Sequence, residues 1–434
     1  MKHLFFVKNN IIKCILLIVA ISGPYFIHAQ TPPDWNNLSP SKRASMLASL
    51  KKVADNGDTQ LMNIIADLYL KGDGVIKDTA EAITWLQKSA KAGNPRAMNN
   101  LAVLSHFNKN TGQDSTQTFL WMLSSAQLGN TTAMLNLGSE YVRGILVKKD
   151  TVEGLKWITK SAENDNNKAM QALAGMYDNG KGVNKDSVQA LKWYKKSAEA
   201  GNANAQNSLG LKYMKGRWVE KDYAAALKLF QKSADAGNEY ALYNMGIMYE
   251  FGRGVTQDNK KALKWYLKAA EKNSSSTYRI ALFYEYGKAG LAQDYIQAMT
   301  WYKKIVGPRD GYIMYHIGNL YEYGKGVPQN VVEATKWYQQ SADSDNGFGM
   351  YGIGHLHEKA NESALALEWY QKAIAWFKKD IEKNDNTECM RGLAAMYENG
   401  TGTEKNTQQA LQYYKQAAEF GDEDAKIKVK EMEK

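Results

Sequence analysis

Apolar residues recur along this chain with the spacing of amphipathic helices arranged in pairs. In residues 166–201 the first pattern places Leu173 and Tyr177 four residues apart, on one helical face. A second pattern follows a polar break and repeats this spacing with Tyr194 and Ala198. The segment therefore predicts two helices that pack through their apolar faces.

Glycine and aspartate mark the boundaries of the two helices. Gly180 and Gly182 end the first helix, because glycine accepts the positive φ that a tight reversal requires. Asp186 follows as the N-cap of the second helix. Equivalent residues, which we call the N-cap column, stand at multiples of 36 residues from it: Asp78, Asp114, Asp150, Asp222, Asp258, Asp294 and Asn330. Residues three positions later predict reciprocal capping boxes; they are Glu81, Gln117, Glu153, Gln189, Gln297 and Glu333.

Tryptophan indicates that the two-helix segment is repeated. It recurs at a step of 36 residues at Trp85, Trp121, Trp157, Trp193, Trp265, Trp301 and Trp337, and Leu229 occupies the vacant slot. Such a period is typical of stacked copies that bury apolar faces on their neighbours. We predict about ten copies over residues 58–421, around 22 helices and no β-sheet. We expect Trp85, Trp157, Trp193, Trp265 and Trp337 to be mostly buried.

The consensus of these copies reads A-x-x-x-L-G-x-x-Y-x-x-G-x-G-V, then D-x-x-x-A-x-x-W-Y-x-K-S-A-x-x-G-N. This pattern resembles the Sel1-like repeat (SLR), a relative of the tetratricopeptide repeat. The resemblance implies an all-α, right-handed α-solenoid of 36-residue helix-turn-helix repeats. It also implies a binding scaffold and not an enzyme.

Three copies depart from the consensus. The second replaces its glycine turn with residues 107–112, and the fifth has Trp218 where the second glycine belongs. The ninth, residues 346–385, lacks the turn and predicts an extended second helix over about residues 362–383. Trp369 and Trp376 lie two turns apart on that helix, which indicates either a kink in the superhelix or a docking ridge.

The two ends of the chain have their own patterns. Residues 1–29 read as a signal peptide, with a basic start, a short apolar stretch and a cleavage site before Gln30. An uncleaved membrane anchor is the alternative, but the apolar stretch is short for a membrane span. We therefore expect a periplasmic or secreted protein without stable membrane insertion. Residues 30–40 predict a flexible leader, and residues 41–57 and 422–434 predict capping helices at the two ends of the stack.

Net charge limits the possible partners of the chain, and its cysteine content limits the disulfides it can form. The formal net charge is +10, and removal of three basic residues with the signal leaves 52 − 45 = +7. Lys160, Lys196, Lys232 and Lys268 recur on one face, but an acidic residue follows each three positions later, so the charges largely cancel. We therefore expect no nucleic-acid partner. Only Cys389 remains after processing, which excludes an intrachain disulfide.

Motifs for catalysis or metal binding are weak. Residues 39–42 fit S-x-x-K and residues 344–346 fit S-D-N, two elements of the β-lactamase type of hydrolase, but K-T-G is missing. Ser39 and Asn346 instead fall at predicted helix starts. His316, His355, His357 and Glu358 lack the three or four converging ligands of a metal site. The sequence predicts no cofactor, no metal and no enzymatic activity.

Aromatic residues replace amide residues on one face from the sixth copy onward. These aromatic residues predict a groove. They occupy the second, fifth or thirteenth position of copies six, eight and nine, and two positions of copy seven. The ten residues are Tyr240, Tyr243, Phe251, Phe283, Tyr286, Tyr312, Tyr315, Tyr323, Phe348 and Tyr351. We expect Glu250, Glu322 and Glu358 along its edge. Packing of these rings inside a tighter superhelix is the structural alternative.

Aromatic-rich surfaces of this kind are typical of peptide and partner recognition. The sequence therefore favours an exported adaptor or envelope regulator that binds a protein or peptide in the groove of copies six to nine. A glycan-binding or peptidoglycan-binding protein is the alternative, and a hydrolase of the β-lactamase type is less favoured.

Overall fold

The computed structural model describes residues 39–73, 75–107, 115–307, 310–384 and 386–433. These residues contain 22 α-helices and no strand, which confirms the predicted all-α solenoid. The signal peptide and nearly all of the leader, residues 1–38, lie outside the described residues, as do Asp114 and residues 108–112 of the second copy.

The chain divides into two compact halves, Met1–Leu209 and Gly210–Lys434. The helices of the N-terminal half are α1 (Pro40–Ala54), α2 (Thr59–Lys71), α3 (Thr79–Lys91), α4 (Pro95–Phe107), α5 (Ser115–Gln127), α6 (Thr131–Arg143), α7 (Thr151–Glu163), α8 (Asn167–Asn179), α9 (Ser187–Glu199) and the start of α10 (Ala203–Lys215).

The C-terminal half contains the end of α10 and twelve further helices. They are α11 (Tyr223–Asp235), α12 (Glu239–Glu250), α13 (Asn259–Ala269), α14 (Ser274–Glu285), α15 (Tyr295–Ile305), α16 (Gly311–Glu322), α17 (Val331–Asp343), α18 (Gly347–Lys359), α19 (Ser363–Asn384), α20 (Thr387–Asn399), α21 (Thr407–Glu419) and α22 (Glu423–Met432). Each repeat is one helix pair, from α2–α3 in repeat one to α20–α21 in repeat ten.

The residue after the tryptophan position, and not the tryptophan itself, forms the deepest core. At most 5% of each of these side chains is exposed: Leu86, Met122, Ile158, Tyr194, Phe230, Tyr266, Tyr302, Tyr338, Tyr370 and Tyr414. Trp85 and Trp193 are buried as predicted, whereas Trp157, Trp265 and Trp337 are only half-buried. The indole rings lie beside the core helix contact, where lysines such as Lys268 approach the Trp265 ring centroid within 4.4 Å.

The glycine of the L-G motif lets these deeply buried side chains pack directly against the first helix of their repeat. A Cβ atom at Gly246 would lie 2.3 Å from the nearest ring carbon of Tyr266, closer than two carbons can approach. The two helices of repeat six therefore contact each other directly at a glycine. Gly180 has a different role, because it ends α8 in the left-handed conformation at φ 68°, as the sequence predicts.

A buried serine connects the two helices in repeats one to four and in repeat eight. The Ser197 hydroxyl donates to the Asn167 carbonyl at 2.6 Å, thirty residues earlier. The same bond, from 2.5 to 2.9 Å, recurs at Ser89, Ser125, Ser161 and Ser341. Each of these bonds satisfies one serine hydroxyl in the core and fixes the start of the first helix against the end of the second.

The predicted N-caps are present wherever the structure describes the column. Asp186 accepts hydrogen bonds from the amides of Val188 and Gln189 at 2.9 and 3.0 Å. The capping-box prediction is wrong in its second bond, from the Asp186 amide to the side chain three residues later. That amide instead donates to the Tyr177 carbonyl at 3.1 Å. The turn folds the chain back so closely that backbone, and not the side chain at the third position, satisfies this amide.

Repeats five and nine depart from the consensus as the sequence indicates. Trp218 has the positive φ, 69°, of the glycine it replaces, which is uncommon for a residue with a side chain. In repeat nine only residues 360–362 separate α18 from α19, and α19 runs for 22 residues. The extended helix of the ninth copy is therefore confirmed.

Candidate functional site

The C-terminal half contains a cavity of about 740 Å³ among the first helices of repeats six to ten. Five of its lining residues are aromatic: Phe251, Tyr286, Tyr312, Tyr315 and Phe348. A second cavity of about 690 Å³ adjoins it and shares Arg279, Tyr312, Thr387 and Glu388. We refer to the two cavities together as the C-terminal cleft.

Contacts between distant repeats form the walls of this cleft. The Asn386 side-chain amide donates to the Tyr312 hydroxyl at 2.5 Å, and that hydroxyl lies 3.2 Å from the Cys389 sulfur. Repeat ten therefore contacts repeat eight directly. The Arg253 guanidinium also donates to the Phe420 carbonyl at 3.0 Å, which joins repeat six to the end of repeat ten.

Cys389 belongs to this wall and is not a reactive thiol. It is fully buried, and its sulfur lies 3.3 Å from a carboxylate oxygen of Asp380. Burial and the Asp380 charge hold the pKa of the thiol above its ordinary range. Since the thiolate is the nucleophilic form, this environment suits a structural cysteine.

Two arginines in the cleft are neutralised by acidic partners of the protein. The Arg279 guanidinium lies 3.5 Å from the Glu250 carboxylate. Arg391 lies 3.4 Å from Asp422 and also pairs with Asp424. Burial alone would lower the pKa of both guanidinium groups, but these carboxylates outweigh it and keep both groups charged.

Glu388 is the charged group of the cleft interior that lacks such a partner. It is half-buried, and no basic group of the described residues lies within 4.0 Å of its carboxylate. Burial raises the pKa of Tyr278 and Tyr312, and the negative charge of Glu388 adds to both shifts. The same charge also helps to keep Arg279 and Arg391 charged. The carboxylate therefore acts on aromatic residues from two different repeats.

Six of the ten aromatics predicted for the groove line the cleft, namely Tyr243, Phe251, Tyr286, Tyr312, Tyr315 and Phe348. The prediction is wrong for Phe283, because this residue is fully buried and packs edge-on against Tyr266, with 5.9 Å between the ring centroids. The other three lie outside this cleft. Tyr240 is 59% exposed, the Tyr323 hydroxyl contacts His355 at 3.2 Å, and Tyr351 packs on Tyr370.

The predicted acidic edge is also wrong for Glu322, which is only 2% exposed and lies outside the cleft. Glu250 does line the larger cavity, but it is only 4% exposed and belongs to the wall and not to an exposed rim. Each accepts a hydrogen bond from the deep tyrosine of its own repeat: Tyr266 to Glu250 at 2.6 Å and Tyr338 to Glu322 at 2.7 Å. Burying a tyrosine hydroxyl requires an acceptor, and the end of the first helix supplies it. Only Glu358 remains exposed, while it accepts from Tyr370 at 2.7 Å.

The groove predicted from the sequence omits repeat ten, although this repeat contributes Glu388 and Arg391 to the cleft. Its first helix begins at Thr387, so Glu388 and Arg391 stand at the same second and fifth positions that pointed to Tyr240 and Tyr243 in repeat six. The same two positions of the repeat are the signal for both residues. A criterion of aromatic side chains excludes them because they are charged.

The weaker candidate motifs have structural roles. Ser39 caps α1, and Asn346 is buried and caps α18 by accepting from the Phe348 amide at 3.0 Å. His316 lies 3.0 Å from Glu285 and stacks on Tyr302, while His355 lies 3.4 Å from Glu322. Within the part of the chain that the structure describes, no three His, Cys, Asp or Glu side chains could together hold a metal ion.

Comparison with known proteins agrees with this architecture. The Sel1 repeat model matches ten segments, at residues 60–94, 95–130, 131–166, 167–202, 203–238, 239–274, 274–305, 313–346, 348–375 and 387–422. The chain is 31% identical to a protective antigen present in uropathogenic Escherichia coli strains, whose crystal structure displays an SLR fold. That match covers 89% of this chain and 82% of the antigen, with a TM-score of 0.62.

A Sel1 repeat protein from Oxalobacter formigenes is also similar. It is 30% identical, and the match covers 57% of this chain and 98% of that protein, with a TM-score of 0.51. No protein of curated function has significant sequence similarity to the chain. Among the described residues, none of the helices combines the length and the apolar character needed to cross a lipid bilayer.

Proposed function

The chain belongs to the Sel1 repeat family, and from this premise we propose that it is an adaptor that binds a peptide segment of a partner protein in the C-terminal cleft. Sel1 repeat solenoids are typically protein-interaction scaffolds and not enzymes.

One observation carries the proposal: aromatic side chains from repeats six, seven, eight and nine line one cleft. Of these rings, Tyr286 is 55% exposed, so its face is accessible to a ligand in the cleft. Tyrosine provides large contact area and a hydroxyl with few rotatable bonds, so it is common among residues that dominate binding energy.

The test is selection from a random peptide library displayed on phage against the full chain, followed by binding measurements on fluorescent copies of the selected peptides. Tyr286→Ala should weaken binding by more than about 1–2 kcal/mol. Tyr240→Ala is the matched control, because Tyr240 is equally exposed in the same half but lies outside the cleft.

The control should bind as tightly as the parent, and both variants should keep the parent melting temperature. Failure to select any peptide, or equal losses in the two variants, contradicts the proposal. A glycan that binds the parent chain and is lost in Tyr286→Ala would favour the glycan-binding alternative.

Export by the signal peptide is a second part of the proposal. It rests on the pattern of residues 1–29 alone, and it places the adaptor in the periplasm or outside the cell. Mass spectrometry of the protein from the exported fraction should find a chain that begins near Gln30 and carries no lipid. A retained amino terminus, or recovery only with detergent, would contradict it.

A further inference from the structure

We propose that the C-terminal cleft recognises a basic side chain, lysine or arginine, of the bound peptide, with Glu388 as its counter-ion. This inference rests on the proposed function and names the chemistry of the ligand. Four observations support it: the charge balance of the cleft, the pairing of its arginines, the aromatic rings around Glu388 and an unpaired acceptor.

The cleft has the opposite charge to the chain. Its lining contains three basic residues, Arg279, Lys288 and Arg391. It contains six acidic residues, Glu250, Asp310, Asp345, Glu388, Asp422 and Asp424, whereas the whole chain carries a formal charge of +10. Such a local reversal favours a cationic ligand and speeds its encounter with the cleft.

Three acidic residues of the lining, Asp310, Asp345 and Glu388, have no basic partner within 4.0 Å among the described residues, and of these Glu388 alone lines both cavities. Arg279 and Arg391 are held by the carboxylates described above, and Lys288 is exposed and absent from the smaller cavity. Arg279 and Arg391 act on Glu388 only from beyond 4.0 Å, so an uncharged ligand that removes water from the cleft would leave this carboxylate without a cation in direct contact.

Aromatic rings stand close to the same carboxylate. Tyr312 lines both cavities with Glu388, and Tyr286 lines the larger one. A cation placed over the face of an aromatic ring gains electrostatic attraction, which adds to its ion pair. Rings combined with a carboxylate therefore suit an ammonium or guanidinium group better than a carboxylate or phosphate.

An amide oxygen in the wall is the fourth observation. The Asn259 Oδ1 atom is buried at the larger cavity and accepts no hydrogen bond from the described residues. A buried acceptor without a donor is costly, and a lysine or arginine head group has several donors to offer. A basic ligand in the larger cavity, which Glu388 also lines, would bring donors to the same cavity as this atom.

The experiment compares each selected peptide with neutral analogues, in which norleucine replaces lysine or citrulline replaces arginine. One basic position per peptide should be essential, with an analogue that binds about tenfold weaker or more, as expected for loss of a charge-assisted hydrogen bond. Glu388→Gln should abolish this preference, so that peptide and analogue bind alike. Glu239→Gln is the matched control, because Glu239 also lies in the first turn of a helix and is outside the cleft.

The outcomes distinguish this inference from the proposed function. If Tyr286→Ala no longer binds the peptides, while every neutral analogue binds the parent chain as tightly as the original peptide, the inference is overturned and the proposed function stands. A preference that persists unchanged in Glu388→Gln also overturns it. Binding of spermine with the same dependence on Glu388, without any peptide binding, overturns both. The analogue comparison uses the parent chain, so it remains decisive even if Glu388→Gln melts early.

Discussion

Glu322 gives the sharpest test of the electrostatics of the core. Its buried carboxylate accepts hydrogen bonds from Tyr338 at 2.7 Å and Lys359 at 2.6 Å, and His355 lies 3.4 Å away. Burial by itself would raise the pKa of Glu322, but the His355, Lys359 and Tyr338 contacts outweigh burial and bring it to about 2.

The size of the effect follows from this pKa. The ordinary value is 4.5, and the difference of about 2.5 corresponds to about 3 kcal/mol of folding free energy. The folded pKa is the lower one, so this contribution is complete above about pH 4.5 and is lost as the pH falls toward about 2. Glu322→Gln keeps an acceptor for Tyr338 but removes the charge, so it should be less stable by about 3 kcal/mol at neutral pH.

The assay is urea unfolding of parent and Glu322→Gln, followed by far-ultraviolet circular dichroism between about pH 7 and about pH 2. The gap between the two proteins should shrink as the solution becomes more acidic. Glu333→Gln is the control, because its partner Lys336 is 60% exposed and surface pairs contribute less than about 1 kcal/mol. A gap of constant size across the pH range would refute the assignment of the low pKa to Glu322.

Three further substitutions test the packing and capping of the repeats. Gly246→Ala should destabilise the chain by about 1–3 kcal/mol in urea unfolding, since its Cβ would overlap Tyr266. Gly175→Ala should instead stabilise it by up to about 1 kcal/mol, because the nearest atom lies 4.0 Å away, and an equal loss in both variants would contradict the packing argument. Asp186→Ala should cost about 0.5–2 kcal/mol, with faster amide exchange confined to repeats four and five, and a uniform rise across the chain would count against it.

The sequence predicts the local structure of this protein well because each repeat encodes its own turns and caps. Asp186 and Gly180 act through residues within one turn of the chain, so their roles can be derived from spacing alone. The depth of a side chain is harder to derive. Trp265 and Tyr266 are adjacent and both aromatic, and only the contact with Gly246 explains why the tyrosine is the buried one.

The candidate site was only partly predictable because it depends on residues far apart in the chain. Their positions in the repeat predict Tyr312 and Phe348 as groove residues, and both line the cleft. The contacts of Asn386 with Tyr312 and of Arg253 with Phe420 depend on the summed rotation of several repeats, which no local pattern specifies. Glu388 occupies a groove position of its repeat, but only those contacts bring it close to the rings of repeats seven and eight.

The contact between Arg253 and Phe420 constrains how the protein can change in length. An array whose repeats touch only their neighbours can gain or lose a whole repeat without new clashes. Between repeats six and ten this freedom is absent, because one extra copy would separate Arg253 from Phe420. An extra copy between repeats eight and ten would also separate Asn386 from Tyr312 and open the wall of the cleft. Among relatives that share this cleft, repeat number should therefore vary ahead of repeat six or after repeat ten and remain fixed between them.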